Sequence, residues 1–212
     1  MKYLNLIESF SDKRILVIDN SKPPEKKYLS KVLDYLNERG ISFVVADSID
    51  RLENLKSQFN IVGAISTGSE HRVINNEFQS LSDFAMQTLN CPILGLCFGF
   101  QSMARYYGSN ISSIDEKCGN FDLTVYDKDF FMFRNKDLTG LSFCFHDFPT
   151  IIPSGFKVVC ELDGIISGIA NESKKRYGLL FHPEEQHRTF SMLDSFIEKC
   201  QGNRIKNFDS FI

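Results

Sequence analysis

The chain has 212 residues, 42% of them hydrophobic, enough to bury the core of one α/β domain spanning 1–212. Its net charge of −3 and pI near 5.8 provide no basic face for nucleic acid. Residues 1–10 lack the apolar block of a secretory leader, and no stretch reaches the ~20 apolar residues of a membrane helix. Six scattered cysteines without a Cys-x-x-Cys pair argue against structural zinc and for a reduced, cytoplasmic setting.

Strand and helix patterns alternate through the first half. Residues 14–19 form an apolar run closed by Asp19, the pattern of a buried parallel strand. Pro23-Pro24 opens a helix in which Tyr28, Val32, Leu33, Tyr35 and Leu36 share a face, and Gly40 ends it. A strand over 42–46, a helix over 49–59, a strand over 61–66 and a helix over 78–89 continue the series. A strand over 92–96 and a helix over 98–107, closed by Gly108, complete it. Such units predict right-handed crossovers and a mostly parallel central sheet flanked by helices, with functional groups at the strands' carboxyl ends. The second half changes character. Strand patterns at 110–115, 121–127, 141–145, 156–162, 165–170 and 177–181 predict an antiparallel or mixed addition. A closing helix over 189–200 presents Phe190, Leu193, Phe196 and Ile197 on one face.

The stretch Gly95-Leu96-Cys97-Phe98-Gly99 is the pattern of a nucleophile elbow, in which a strand turns sharply into a helix with a reactive side chain at the apex. The flanking glycines remove Cβ atoms that would clash across the turn. The helix start favours thiolate over thiol. A cysteine in an apolar run is ordinarily core, but the two glycines at the junction favour Cys97 as a nucleophile. Such a nucleophile needs a base, and His182, just after the apolar run 177–181, is the best placed of four histidines. Glu184, two residues on in an extended segment, would face the same way and orient the imidazole. His182, Glu184 and His187 can also be read as metal ligands, but that leaves the elbow unexplained. His71 and His146 read as surface or packing residues. The backbone N–H of Phe98 and an N–H from the turn Thr67-Gly68-Ser69 are candidate oxyanion donors.

With these placed, the chain resembles the class I (triad) glutamine amidotransferases. Gly95-Leu96-Cys97-Phe98-Gly99-Phe100-Gln101 is similar to that family's G-x-C-x-G-x-Q signature, and Phe181-His182-Pro183-Glu184 to its F-H-P-E signature. The resemblance covers nearly the whole chain. It implies a flavodoxin-like fold, a Cys97–His182–Glu184 triad, L-glutamine as substrate and no cofactor or metal. It also implies that Gln101 helps hold the substrate and that Gly68 supplies the second oxyanion N–H.

Within the family, His146-Asp147, followed by Ile152-Pro153-Ser154-Gly155-Phe156, resembles the S-H-G-D…L-P-x-G-F stretch of the GMP synthetase glutaminase unit, which adds His146 and Asp147 to the substrate-binding candidates. The run from Tyr177 to Glu184, with His187 and Thr189 beyond, is similar to that group's Y-G-V-Q-F-H-P-E-V-x-H-T. The implied partner is an ATP-pyrophosphatase synthetase subunit that accepts ammonia and makes GMP from XMP. A stand-alone γ-glutamyl hydrolase and a non-catalytic regulatory module are the alternatives. Asp19-Asn20-Ser21 replaces the family's D-F-G-S-Q or D-N-G-G-Q. Ser66-Thr67-Gly68-Ser69 lacks the first glycine and the proline of S-G-G-P. Phe145 stands where serine is common, and Ser109 replaces a glycine.

Overall fold

The computed structural model describes residues 13–75 and 80–202. The reading of residues 1–10 therefore lies outside the described residues. From the amino end the elements are β1 (Lys13–Ile18), α1 (Lys27–Glu38), β2 (Phe43–Ala46), α2 (Ile49–Gln58), β3 (Asn60–Ser66), α3 (Ser80–Thr88), β4 (Ile93–Leu96) and α4 (Phe98–Tyr106). Ile15 to Ile18 of β1 and all of β4 are buried, as a strand covered on both faces requires. α1 turns Tyr28, Leu29, Val32, Tyr35 and Leu36 inward. It stops at Gly40, whose φ of +62° suits glycine and whose N–H bonds the Asn37 carbonyl at 3.0 Å. Ser48 caps α2 through the Arg51 N–H.

The second half adds β5 (Ile111–Phe121), β6 (Thr124–Val125), β7 (Leu141–Pro149), β8 (Lys157–Leu162), β9 (Ile165–Asn171), β10 (Arg176–Leu179) and α5 (Phe190–Gln201). The eight-stranded sheet runs β2-β1-β3-β4-β10-β9-β8-β6. Its β2 to β10 side is parallel, and β9, β8 and β6 join antiparallel. β5 and β7 form a separate antiparallel ribbon. The mostly parallel sheet with a mixed second half is the fold class expected from the sequence. Among the described residues, no helix is long and apolar enough to cross a membrane.

Several boundaries differ from the expectation. Strands at 110–115 and 121–127 are instead one eleven-residue strand, β5, and the two-residue β6. The polar run 116–120 falls between the two expected strands, yet Lys117 to Asn120 pair with β7 on an exposed edge of β5. β7 extends past 145, so His146 and Asp147 lie on a strand. α1 begins at Lys27, not at the prolines, because the residue before a proline is driven out of helical geometry. The helix expected over 78–89 is described only as Ser80–Thr88. The reduced state expected for the cysteines also meets an exception. Cys118 and Cys144, 26 residues apart, are direct partners in the β5–β7 register and form a disulfide.

Candidate active site

β4 ends at Leu96, and Cys97 occupies the turn into α4 with φ 46° and ψ −103°. A positive φ at a residue with a Cβ is strained by about 1–3 kcal/mol and persists only where its surroundings over-determine it. Three backbone bonds supply that restraint. The Cys97 N–H donates to Leu179 O at 2.8 Å, the Gln101 N–H to Cys97 O at 2.9 Å, and the Gly99 N–H to Thr67 O at 3.2 Å. The flanking glycines have the predicted purpose. A Cβ on Gly95 would lie 2.6 Å from backbone atoms of Gly99 and Phe100, and one on Gly99 would lie 2.8 Å from the carbonyl carbon of Ser66. The Cys97 side chain is nearly buried, and its thiol reaches the Cys144 carbonyl of β7 at 3.4 Å.

His182 and Glu184 follow β10. The strand stops at Leu179, earlier than the expected 181, and residues 183–185 form a 3₁₀ turn opened by Pro183. The extended geometry expected to align the two side chains is therefore absent. The turn makes the same contact, with His182 Nδ1 2.8 Å from Glu184 Oε1 and both side chains wholly buried. Burial alone would depress the His182 pKa, but the Glu184 carboxylate and the Cys97 sulfur outweigh it and raise it well above the usual value. Among the described residues, His182 Nε2 and Glu184 Oε2 have no hydrogen-bond partner. With Nδ1 facing Glu184, Nε2 is the ring nitrogen left for the interaction with Cys97.

Cys97, Gln101, His146 and Asp147 line one cavity of about 90 Å³. Gln101 Nε2 donates to the Asp147 carbonyl at 2.7 Å. The Asp147 carboxylate accepts from Arg72 Nη2 at 2.7 Å and from the Ile74 N–H at 3.1 Å. Burial would raise its pKa, and these two donors hold it below the ordinary carboxylate range. The Asp147 carboxylate thus anchors the loop after β3, and its carbonyl holds Gln101. His146 is half-buried, 3.2 Å from the Glu116 carboxylate. Phe98, first in α4, has one of the helix's unpaired N–H groups. Gly68 abuts His182 closely enough that a Cβ there would lie 2.9 Å from the imidazole Cε1.

Lining residues outside the candidate site residues above include Tyr28, Glu70, His71, Arg72, Glu116 and Cys144. The sequence marks Tyr28 only as a core position of a helix, yet its ring stacks on His182 with centroids 4.7 Å apart and planes at 15°. Arg72 carried no motif. His71, set aside as surface or packing, also lines the cavity. The metal reading does not hold, because the His187 side chain is 81% exposed and pairs with Glu38, away from His182 and Glu184. Among the described residues, Glu116, Cys118 and Cys144 gather metal-type ligand atoms within 4.8 Å, but the two sulfurs are bonded to each other and offer no thiolate.

Comparison with known proteins identifies the family. Residues 16–200 match the family described as glutamine amidotransferase class-I. The chain is similar to the GMP synthase (glutamine-hydrolyzing) of Kluyveromyces lactis, 32% identical over 155 residues, covering 71% of this chain and 29% of that protein. It is likewise similar to the GMP synthase (glutamine-hydrolyzing) of Vibrio vulnificus, 28% identical over 212 residues, covering 98% and 40%. The chain thus spans well under half the length of these relatives. Among solved structures, a GMP synthase subunit protein of Thermoplasma acidophilum superposes with a TM-score of 0.77 at 20% identity, over 90% of this chain and 95% of that one. A glutamine amidotransferase of Thermotoga maritima gives 0.63 at 19% identity, over 90% and 83%. At such identities the structural likeness speaks for the fold alone. The family match over most of the chain, falling on a sheet that ends in this elbow, places the protein in the class I glutamine amidotransferases.

Proposed function

We propose that this chain hydrolyses L-glutamine to glutamate and ammonia through a Cys97 thioester, and that the ammonia passes to an ATP-dependent synthetase subunit making GMP from XMP. The observation that carries the chemistry is the strained Cys97 apex beside a buried His182–Glu184 pair. The Cys97 thiolate attacks the side-chain amide carbon of glutamine. The N–H groups of Phe98 and Gly68 receive the developing oxyanion. The His182 imidazolium, held by Glu184, gives its Nε2 proton to the departing ammonia as the carbon–nitrogen bond breaks. Neutral His182 then takes a proton from water, whose oxygen attacks the thioester and releases glutamate and the thiolate. Gln101, His146 and Asp147 line the cavity and are assigned to substrate binding. No step calls for a cofactor. The GMP assignment is supported by similarity to the glutamine-hydrolyzing GMP synthases.

A diazo-ketone analogue of glutamine should label Cys97, located by peptide mass spectrometry, and Cys97→Ala should abolish both labelling and ammonia release. An unlabelled Cys97, with no ammonia released even beside an ATP-pyrophosphatase subunit, refutes the catalytic reading and leaves a regulatory module. Turnover that is full and unaffected by such a subunit would instead favour a stand-alone γ-glutamyl hydrolase.

A further inference from the structure

Glu184 Oε1 holds the His182 imidazole at one point, 2.8 Å from Nδ1. A single hydrogen bond in line with Nδ1 does not by itself fix the plane of the ring. The Tyr28 ring lies flat on the imidazole face, 4.7 Å away and 15° from parallel. Core aromatics elsewhere meet differently. Phe143 and Phe181, for example, are inclined at 51°. Gly68 admits this arrangement, since a Cβ there would also lie 3.0 Å from Tyr28 Cγ.

The start of α1 is tied to the 183–185 turn a second time. Lys27 pairs with Glu185 at 3.4 Å and places its ammonium 5.0 Å from the centroid of the Tyr28 ring. Helix α1 therefore clamps the turn that carries Glu184. Tyr28 is only 7% exposed, so its ring also separates the imidazole face from water. Burial, reinforced by Cys97 and nearby carboxylates, keeps the phenol protonated. It is the neutral ring that acts.

We propose that Tyr28 is a positioning residue for His182, stacking on the imidazole to hold Nε2 toward Cys97 and to shield the His182–Glu184 bond from solvent. This rests on the reading of His182 as the proton carrier. An aromatic stack contributes modestly beyond its buried area, so its loss should lower kcat about 3- to 10-fold, with a smaller change in KM.

The test compares Tyr28→Phe, Tyr28→Leu and Tyr28→Met, the last two being ringless side chains that still fill much of the space. Two readouts are taken beside the melting temperature. One is steady-state glutamine hydrolysis. The other is solvent exchange of the downfield His182 Nδ1–H proton by NMR, which reports the covered imidazole whether or not the enzyme turns over. Tyr28→Phe should match wild type in both. Tyr28→Leu and Tyr28→Met should lose kcat and exchange this proton roughly tenfold faster at a melting temperature near wild type. Wild-type kcat and exchange in both ringless variants, or a Phe variant as impaired as the Leu variant, overturns the proposal. A wild-type chain that neither hydrolyses glutamine nor labels at Cys97 refutes the parent reading instead, and the exchange measurement still decides the role of Tyr28.

Discussion

Gly99→Ala sets two effects of opposite sign against each other. Gly99 lies in the first turn of α4, where replacing glycine by alanine ordinarily stabilises a helix by up to about 1 kcal/mol. Here the new Cβ would sit 2.8 Å from both the carbonyl carbon and the hydroxyl of Ser66, and closer still to its carbonyl oxygen. The obstacle is backbone at the end of β3, and its neighbour Thr67 accepts the Gly99 N–H, so no flexible side chain can yield. The elbow and β3 must part by about half an ångström or more, an overpacking that costs about 1–3 kcal/mol. The clash therefore wins, with net destabilisation of about 1–2 kcal/mol. Catalysis should suffer more than stability. A misplacement near 1 Å can cost a hundredfold, so roughly a tenfold loss in kcat is expected from half that shift. Urea denaturation and ammonia-release assays on the same preparation read both numbers. A variant at least as stable as wild type with unchanged kcat would refute the claim that this contact fixes the elbow.

Glu184→Gln keeps the side chain's shape but removes the charge that favours the imidazolium, and should lower kcat on the order of a thousandfold with the fold intact by circular dichroism. Asp147 has a lowered folded pKa, so the stability it contributes is present above the unfolded value near 3.9 and is lost as pH falls through the folded one. Asp147→Asn should therefore be less stable at pH 6 and lose less between pH 6 and pH 3 in urea titrations. Equal pH slopes for the two proteins would contradict the Arg72 pairing. Closing the 26-residue separation between Cys118 and Cys144 restricts the unfolded chain by about 3.5 kcal/mol, so Cys118→Ser should show a clear drop in denaturation midpoint that reduction reproduces in wild type.

The parallel half was legible because its signals are local. Buried runs such as 15–18 and 93–96, broken by helical faces, admit few other arrangements. The elbow was legible for the same reason, since Gly95, Cys97 and Gly99 fall within five residues. What the sequence concealed depends on pairing across long separations. The polar residues 116–120 fall between two expected strands until β7 lies beside them, and nothing in the spacing of Cys118 and Cys144 shows that they face each other. The stack of Tyr28 on His182 joins positions 154 residues apart. Its only local sign is an inward helical position, which most core tyrosines share.

The departures at the oxyanion turn are intelligible only as a pair. The resemblance sets Thr67 where the family has glycine and Ser69 where it has proline, residues that shape such a turn through backbone freedom and a fixed φ. In this chain hydroxyls and one buried amide do that work. Thr67 Oγ1 accepts the Asn20 N–H at 3.1 Å, and Thr67 O accepts Asn20 Nδ2 at 2.8 Å. Ser69 Oγ donates to Asn20 O at 2.5 Å and accepts the His71 N–H at 3.0 Å. Asn20 is completely buried, and its Oδ1 is satisfied by Ser82 at 3.0 Å. The turn carrying Gly68 is thus held by Asn20 from the loop after β1, and restoring one family residue alone should harm it. Thr67→Gly strands a buried Asn20 N–H, at about 1–3 kcal/mol, and adds up to about 1 kcal/mol of backbone entropy. Its denaturation midpoint should fall, and kcat should fall with it as the Gly68 N–H loses its fixed position. A Thr67→Gly protein as stable and active as wild type would mean that the Asn20 bonds accompany the turn without holding it.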